Sequence, residues 1–239
     1  MAAQRDDKLV TAISRKIDAT LLKPNATTEE VLVLIGETCR YGYRGICVPP
    51  YYVPLVKNAL LDSNAEVSSV VGFPLGFSTK SVKLYEIETL IGSGATEVEM
   101  VINIGAYLNG HIEVIEDEVS SAVDIAKTLG ANAIKIIVEI GYLNACQIAE
   151  LSRVIADSGA DYIKTSTGFG PRGVTPEDIM TIKEAVGDRV KVKASGGVRT
   201  LKQALDLIKA GASLIGTSSA RAIVEEEIKG VDSTRNEHG

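Results

Sequence analysis

Eight short runs rich in β-branched residues alternate with longer amphipathic segments along 239 residues, and this alternation predicts an α/β fold, a single (β/α)8 TIM barrel with a short N-terminal helix. Two further observations favour a closed sheet. Eight strand–helix units fit the length of one barrel domain. The segment after the first strand, Lys23-Pro24-Asn25-Ala26-Thr27, is not the glycine fingerprint of the alternative, a doubly wound open sheet. No linker divides the chain, so residues 1–239 are expected to form one barrel domain, with the polar segment 231–239 as a flexible tail.

The predicted strands are Ile17–Leu22, Gly45–Val48, Glu66–Phe73, Glu97–Asn103, Ala133–Glu139, Asp161–Ser166, Arg189–Ala194 and Ser213–Thr217. Helix starts between them are marked by Thr27 with Glu30 and by Asn144 with Gln147, both spaced as capping boxes. Thr175-Pro176-Glu177-Asp178 adds a capping hydroxyl, a proline at the first helical position and acids in the first turn. Gly42, Gly94, Gly130, Gly159, Gly187 and Gly211 close helices.

Composition narrows the function. Hydrophobic residues make up 45% and charged residues 23%, as in a folded globular protein. The formal charge of -6 gives no global basic footprint for nucleic acid. Cys39, Cys47 and Cys146 are odd in number and far apart, which reads as reduced thiols in a cytoplasmic protein. With His111 and His238 as the two histidines, a metal site built from histidine and cysteine is not expected. The start, MAAQRDDKLV, has no apolar signal region, and no apolar run reaches the roughly 20 residues that cross a bilayer. The longest, Ala133–Ile140, is interrupted by Lys135 and Glu139.

In a barrel of this kind chemistry collects where strands end. Lys164 lies near such an end, and alternation puts Tyr162, Lys164 and Ser166 on one face and Ile163 on the other. A lysine there either snorkels to water or works chemically. Lys193 lies near the end of the next strand, about 4.8 Å away across the sheet. Two inward cations repel, which is expected to lower the pKa of one amine and let it attack a carbonyl. Lys193 could instead be a phosphate ligand or a salt-bridged rim residue. Glu99 shares a face with Glu97, Val101 and Asn103; it is either a proton shuttle or a structural counter-ion. Ser195-Gly196-Gly197 and Gly216-Thr217-Ser218-Ser219 follow the seventh and eighth strands, where barrels commonly hold phosphate, and Gly168-Phe169-Gly170 follows the sixth. Asp18 and Thr20 are candidates to bind substrate hydroxyls or to satisfy local backbone, and Cys47 is read as a small buried hydrophobe.

Four stretches together resemble the deoxyribose-phosphate aldolase family, over about residues 17–221: Ile17–Pro24, Val71–Gly76, Lys164–Phe169 and Val192–Thr200. The resemblance implies a class I aldolase, a lyase that reversibly cleaves 2-deoxy-D-ribose 5-phosphate into acetaldehyde and D-glyceraldehyde 3-phosphate without metal or cofactor. It implies a Schiff base on Lys164, with Lys193 tuning that amine and Glu99 relaying protons. It implies phosphate contacts from Gly168, Gly196, Gly197, Ser218 and Ser219, and a substrate site lined by Asp18, Thr20, Cys47 and Thr165. Its partners would be small phosphorylated sugars and aldehydes, not nucleic acid or membrane, and a homo-oligomer, a dimer by analogy. Family members usually carry aspartate where this chain has Glu99, often histidine at Ala19 and asparagine at Pro49, and in some cases a C-terminal tyrosine, which the ending Arg235-Asn236-Glu237-His238-Gly239 lacks. Two competing readings are a Schiff-base aldolase for another sugar phosphate and a barrel that binds sugar phosphate without turnover.

Overall fold

The computed structural model describes residues 9–236, with side chains described to residue 230. A 3-10 turn, Ser14–Lys16, leads into β1, Ile17–Thr20. There follow β2 (Gly45–Cys47), β3 (Glu66–Val71), β4 (Glu97–Val101), β5 (Ala133–Ile137), β6 (Tyr162–Lys164), β7 (Lys191–Ser195) and β8 (Leu214–Thr217). They pair in chain order, all parallel, and β8 pairs back to β1, closing the barrel. The expected fold class is therefore the observed one. Most strands are shorter than the sequence suggests. β1, β3, β4, β5 and β6 stop two residues before the predicted ends, because the chain leaves the ladder to build rim loops while residues such as Ile102 and Val138 stay apolar and buried.

The helices are α1 (Thr28–Tyr41), α2 (Val53–Ala59), α3 (Lys80–Gly92), α4 (Ile104–Leu108), α5 (Ile112–Thr128), α6 (Ala145–Asp157), α7 (Pro176–Val186), α8 (Leu201–Lys209) and α9 (Ala220–Asn236). The three capping boxes expected at Thr27, Asn144 and Thr175 form, and a fourth joins Thr200 to Gln203. α9 runs on through residues 231–236, which the sequence reading assigned to a loose tail; residues 237–239 lie outside the described part. Among the described residues no helix is long and apolar enough to cross a membrane.

Strand alternation places the core. Ile17, Ile46, Val98, Met100, Ile134, Ile136, Ile163, Val192 and Ile215 face the helices and join one continuous apolar cluster. Burying each such side chain stabilises the fold by roughly 1.5–3 kcal/mol. The residues between them face the barrel axis, and many of those are charged and fully buried: Asp18, Glu97, Glu99, Lys135 and Lys193 are 0% exposed. An apolar patch of Ala133, Tyr162 and Leu214 makes a separate small cluster.

Candidate active site

The barrel axis carries an ion network whose members come from strands far apart in sequence. Lys193 on β7 donates to Asp18 Oδ2 at 2.6 Å and to Glu99 Oε1 at 2.7 Å. Lys164, in register with Lys193 on the neighbouring strand, donates to the other oxygen, Glu99 Oε2, at 2.6 Å. Lys135 on β5 reaches four acceptors: Glu97 Oε2 at 2.5 Å, Glu99 Oε1 at 3.0 Å, Ser68 Oγ at 3.0 Å and Asp18 Oδ2 at 3.1 Å. On the side away from Lys164, Arg44 pairs with Asp18 Oδ1 at 3.0 Å and engages both oxygens of Glu97.

Burial by itself would push every one of these groups towards its neutral form, but the opposite charges outweigh it. Lys164, Lys193 and Lys135 hold the Glu99 carboxyl well below the usual range despite its burial. Asp18 is likewise lowered by Lys135, Lys193 and Arg44, and Glu97 by its bond to Arg44 and by Lys135. Asp18 and Glu99 raise Lys193 above its ordinary value, and Asp18, Glu99 and Glu97 raise Lys135 further. The pair of bare, repelling lysines expected from the sequence is thus replaced by two lysines sharing one carboxylate, and Lys193 is held charged.

The charges count unevenly. Asp18, Glu97 and Glu99 supply three negative charges; Arg44, Lys135 and Lys193 supply three positive ones, each bonded to two or more of those carboxylates. Lys164 is the fourth cation, bonded among the described residues to Glu99 alone.

Lys164 also differs from the other interior lysines in what it faces. It lines a cavity of about 350 Å³ at the C-terminal mouth of the barrel, whose walls include neither Lys135 nor Lys193. Gly168, Gly196, Gly197 and Ser218 line the same cavity, as do Thr20, Lys23 and Arg199. Gly196 and Gly197 have φ of 92° and 79°, a conformation that suits glycine and brings the backbone close to whatever fills the cavity. Phe73 covers the amine, its ring centroid 6.0 Å from Lys164 Nζ, and stacks edge-on against Phe169 at 5.6 Å.

The family description "DeoC/LacD family aldolase" matches residues 12–226. The chain belongs to the DeoC/LacD aldolase family. It is 45% identical to the deoxyribose-phosphate aldolase of Caldicellulosiruptor saccharolyticus, over 90% of this chain and 98% of that one. It is 44% identical to the enzyme of that name from Thermococcus kodakarensis, over 89% and 96%. Among solved structures it superposes with a TM-score of 0.82 on the deoxyribose phosphate aldolase of Aeropyrum pernix, described as a unique tetramer, at 36% identity and covering 89% of each chain.

In this DeoC/LacD aldolase the expected site residues divide. Thr20, Gly168, Gly196, Gly197 and Ser218 line the cavity with Lys164. Asp18, Cys47, Thr165 and Ser219 do not. Asp18 is consumed by the ion network. Cys47 is fully buried, and burial with the nearby Glu99 charge pushes its thiol up to about 12, so it sits as a neutral hydrophobe. The Thr165 hydroxyl bridges to the backbone of Ser195, accepting its N–H at 3.0 Å and donating to its carbonyl at 3.0 Å. Ser219 N–H closes a turn onto Thr217 Oγ1 at 2.9 Å. Lys135 and Arg44 escaped the sequence reading, and Glu97 was placed on the face of Glu99 without a role. Lys135 carried the signal that marked Lys164, a lysine inside an apolar strand, but was read as a mere interruption of that run.

Proposed function

We propose that the chain is a class I aldolase, a lyase that reversibly cleaves 2-deoxy-D-ribose 5-phosphate to acetaldehyde and D-glyceraldehyde 3-phosphate through a Schiff base on Lys164. The observation that carries this reading is that, of the three axial lysines, Lys164 alone both faces the cavity and lacks a counter-charge of its own. Its free amine attacks C1 of the open-chain sugar, and the carbinolamine loses water to give the iminium. A base takes the proton of the C3 hydroxyl, the C2–C3 bond breaks, its electrons flow to the iminium nitrogen, and glyceraldehyde 3-phosphate departs. Protonation of the resulting enamine at C2 and hydrolysis release acetaldehyde and regenerate the amine. Glu99 accepts and returns protons at Lys164 Nζ, 2.6 Å away, while the charged Lys193 on its other oxygen keeps it poised between the two. The phosphate sits against the N–H groups of Gly168, Gly196, Gly197 and Ser218, with Arg199 and Lys23 as flanking cations. No metal or cofactor enters these steps.

Borohydride reduction in the presence of the sugar phosphate, followed by peptide mass mapping, tests the reading. The added mass is expected on the peptide bearing Lys164; its appearance elsewhere or nowhere would remove the nucleophile proposed here. We also propose a homo-oligomer, a dimer by family analogy, which light scattering checks. The free cysteines Cys39, Cys47 and Cys146 support a reducing compartment, the cytoplasm.

A further inference from the structure

Among the buried acids that the steps above leave unused, one lies beside the cavity. Glu139 stands two residues beyond β5, is 2% exposed, and has a φ of 52°. Among the described residues no other non-glycine residue has a positive φ. Such backbone is unfavourable for a residue with a Cβ and persists where the surroundings hold it. What surrounds Glu139 is the loop that follows β6. Its Oε2 accepts the Thr167 N–H at 3.0 Å and also the Thr167 hydroxyl. Gly170 crosses directly over the carboxylate: a Cβ there would lie 2.6 Å from Glu139 Cδ, so a side chain at this position would push the carboxylate aside. The second oxygen, Oε1, is buried with no hydrogen-bond partner among the described residues, a costly condition for a carboxylate. Strained backbone, an unsatisfied buried oxygen and a loop threaded over it all fall on one residue, beneath the wall of the cavity that Lys164 faces.

We propose that Glu139 is the positioning residue for the phosphate-binding turn. Its carboxylate pins Thr167, and Thr167 Oγ1 in turn accepts the Phe169 N–H at 3.0 Å. The N–H groups on either side of Gly168 are thereby drawn down towards Glu139, and the Gly168 N–H between them, which has no partner among the described residues, is left for the anion. This assignment rests on the phosphate reading given above and deepens it.

The test compares kcat/KM for 2-deoxyribose 5-phosphate and for unphosphorylated 2-deoxyribose, together with the thermal midpoint. In Glu139→Asn the strained backbone is better tolerated, since asparagine accepts the left-handed region, but the shorter side chain no longer reaches Thr167. The preference for the phosphorylated sugar is expected to fall about tenfold, the loss of roughly one charge-assisted hydrogen bond, with the change in KM rather than kcat and a thermal midpoint that holds or rises. Thr167→Val, which breaks the same link from the other side, is expected to lose the preference to a similar degree and serves if the first variant does not fold. A thermal midpoint that drops in both variants while the preference stays intact would overturn the positioning role and leave a purely structural one. An unaltered chain that shows no preference for the phosphorylated sugar would instead remove the phosphate reading itself, and this proposal with it.

Discussion

The two faces of the barrel strands follow opposite physical rules. On β4, Val98 and Met100 turn outward into the apolar layer beneath the helices, while Glu97 and Glu99 turn inward to the ion network. On β6 and β7, Ile163 and Val192 face out and Lys164 and Lys193 face in. The outer face stabilises through many small, exchangeable burials. The inner face is unforgiving, because each charge is tolerable only while its partners stay in place. Strength is therefore spread over the shell, and chemistry is concentrated where three carboxylates balance three cations and leave a fourth.

That contrast can be broken most severely at its centre. Lys164→Arg keeps the positive charge but cannot supply a free amine, so turnover should drop on the order of 10⁴-fold or more while the circular dichroism spectrum is retained. Full activity would move the nucleophile elsewhere. Glu99→Leu should lower kcat by roughly a hundredfold or more, because it removes the proposed proton acceptor and leaves Lys164 and Lys193 without their shared carboxylate. Glu99→Asp, one methylene shorter and matching the usual family residue, should maintain or raise the rate; a silent Glu99→Leu would end the relay role.

Stability measurements sharpen the same comparison. Lys135→Met leaves Asp18, Glu97 and Glu99 short of a shared partner and should destabilise by about 3–5 kcal/mol in urea unfolding. On the outward face of the same strand, Ile136→Val should cost only about 0.5–1.5 kcal/mol. Equal losses would mean that the network is no more demanding than the shell. The pH dependence has a determined sign. The pKa values of Asp18, Glu97 and Glu99 are depressed on folding, so their contribution is present above the unfolded carboxyl values near 4 and is lost as pH falls through the lower folded ones. Lys135 and Lys193 are raised, so theirs is complete below about 10.4 and is lost as pH climbs through the folded values above that. Thermal midpoints should hold roughly level between these limits as far as the network is concerned; a drop between about pH 5 and 7 traced to these residues would contradict the pairing.

Much of the fold was legible because its signals are local. Alternation, capping boxes and closing glycines act within a few residues, and eight repeats of them leave few topologies. Strand ends were less legible, since Ile102 and Val138 stay buried after the ladder has stopped and look the same in sequence as the strand before them. Among the site residues, Lys164 and the glycine turns were legible from position in the repeat. The ion pairing of Asp18 was not legible, because its partner Lys193 lies 175 residues away and meets it only when β8 closes onto β1. Arg44 could not be read at all: it sits in the turn before β2, and its carboxylates are 26 and 53 residues distant.

What the sequence determined by itself was the period: which residues are strand, which are helix, and which side chains share a face, all set by sterics and hydrophobicity over a handful of neighbours. What the tertiary structure decided was the charge state of the axis. Whether a lysine is a cation, a counter-ion or a nucleophile depends on which opposite charges stand within about 3 Å in a low dielectric. That distance is fixed only when eight strands, none of them carrying the whole set, close into one barrel.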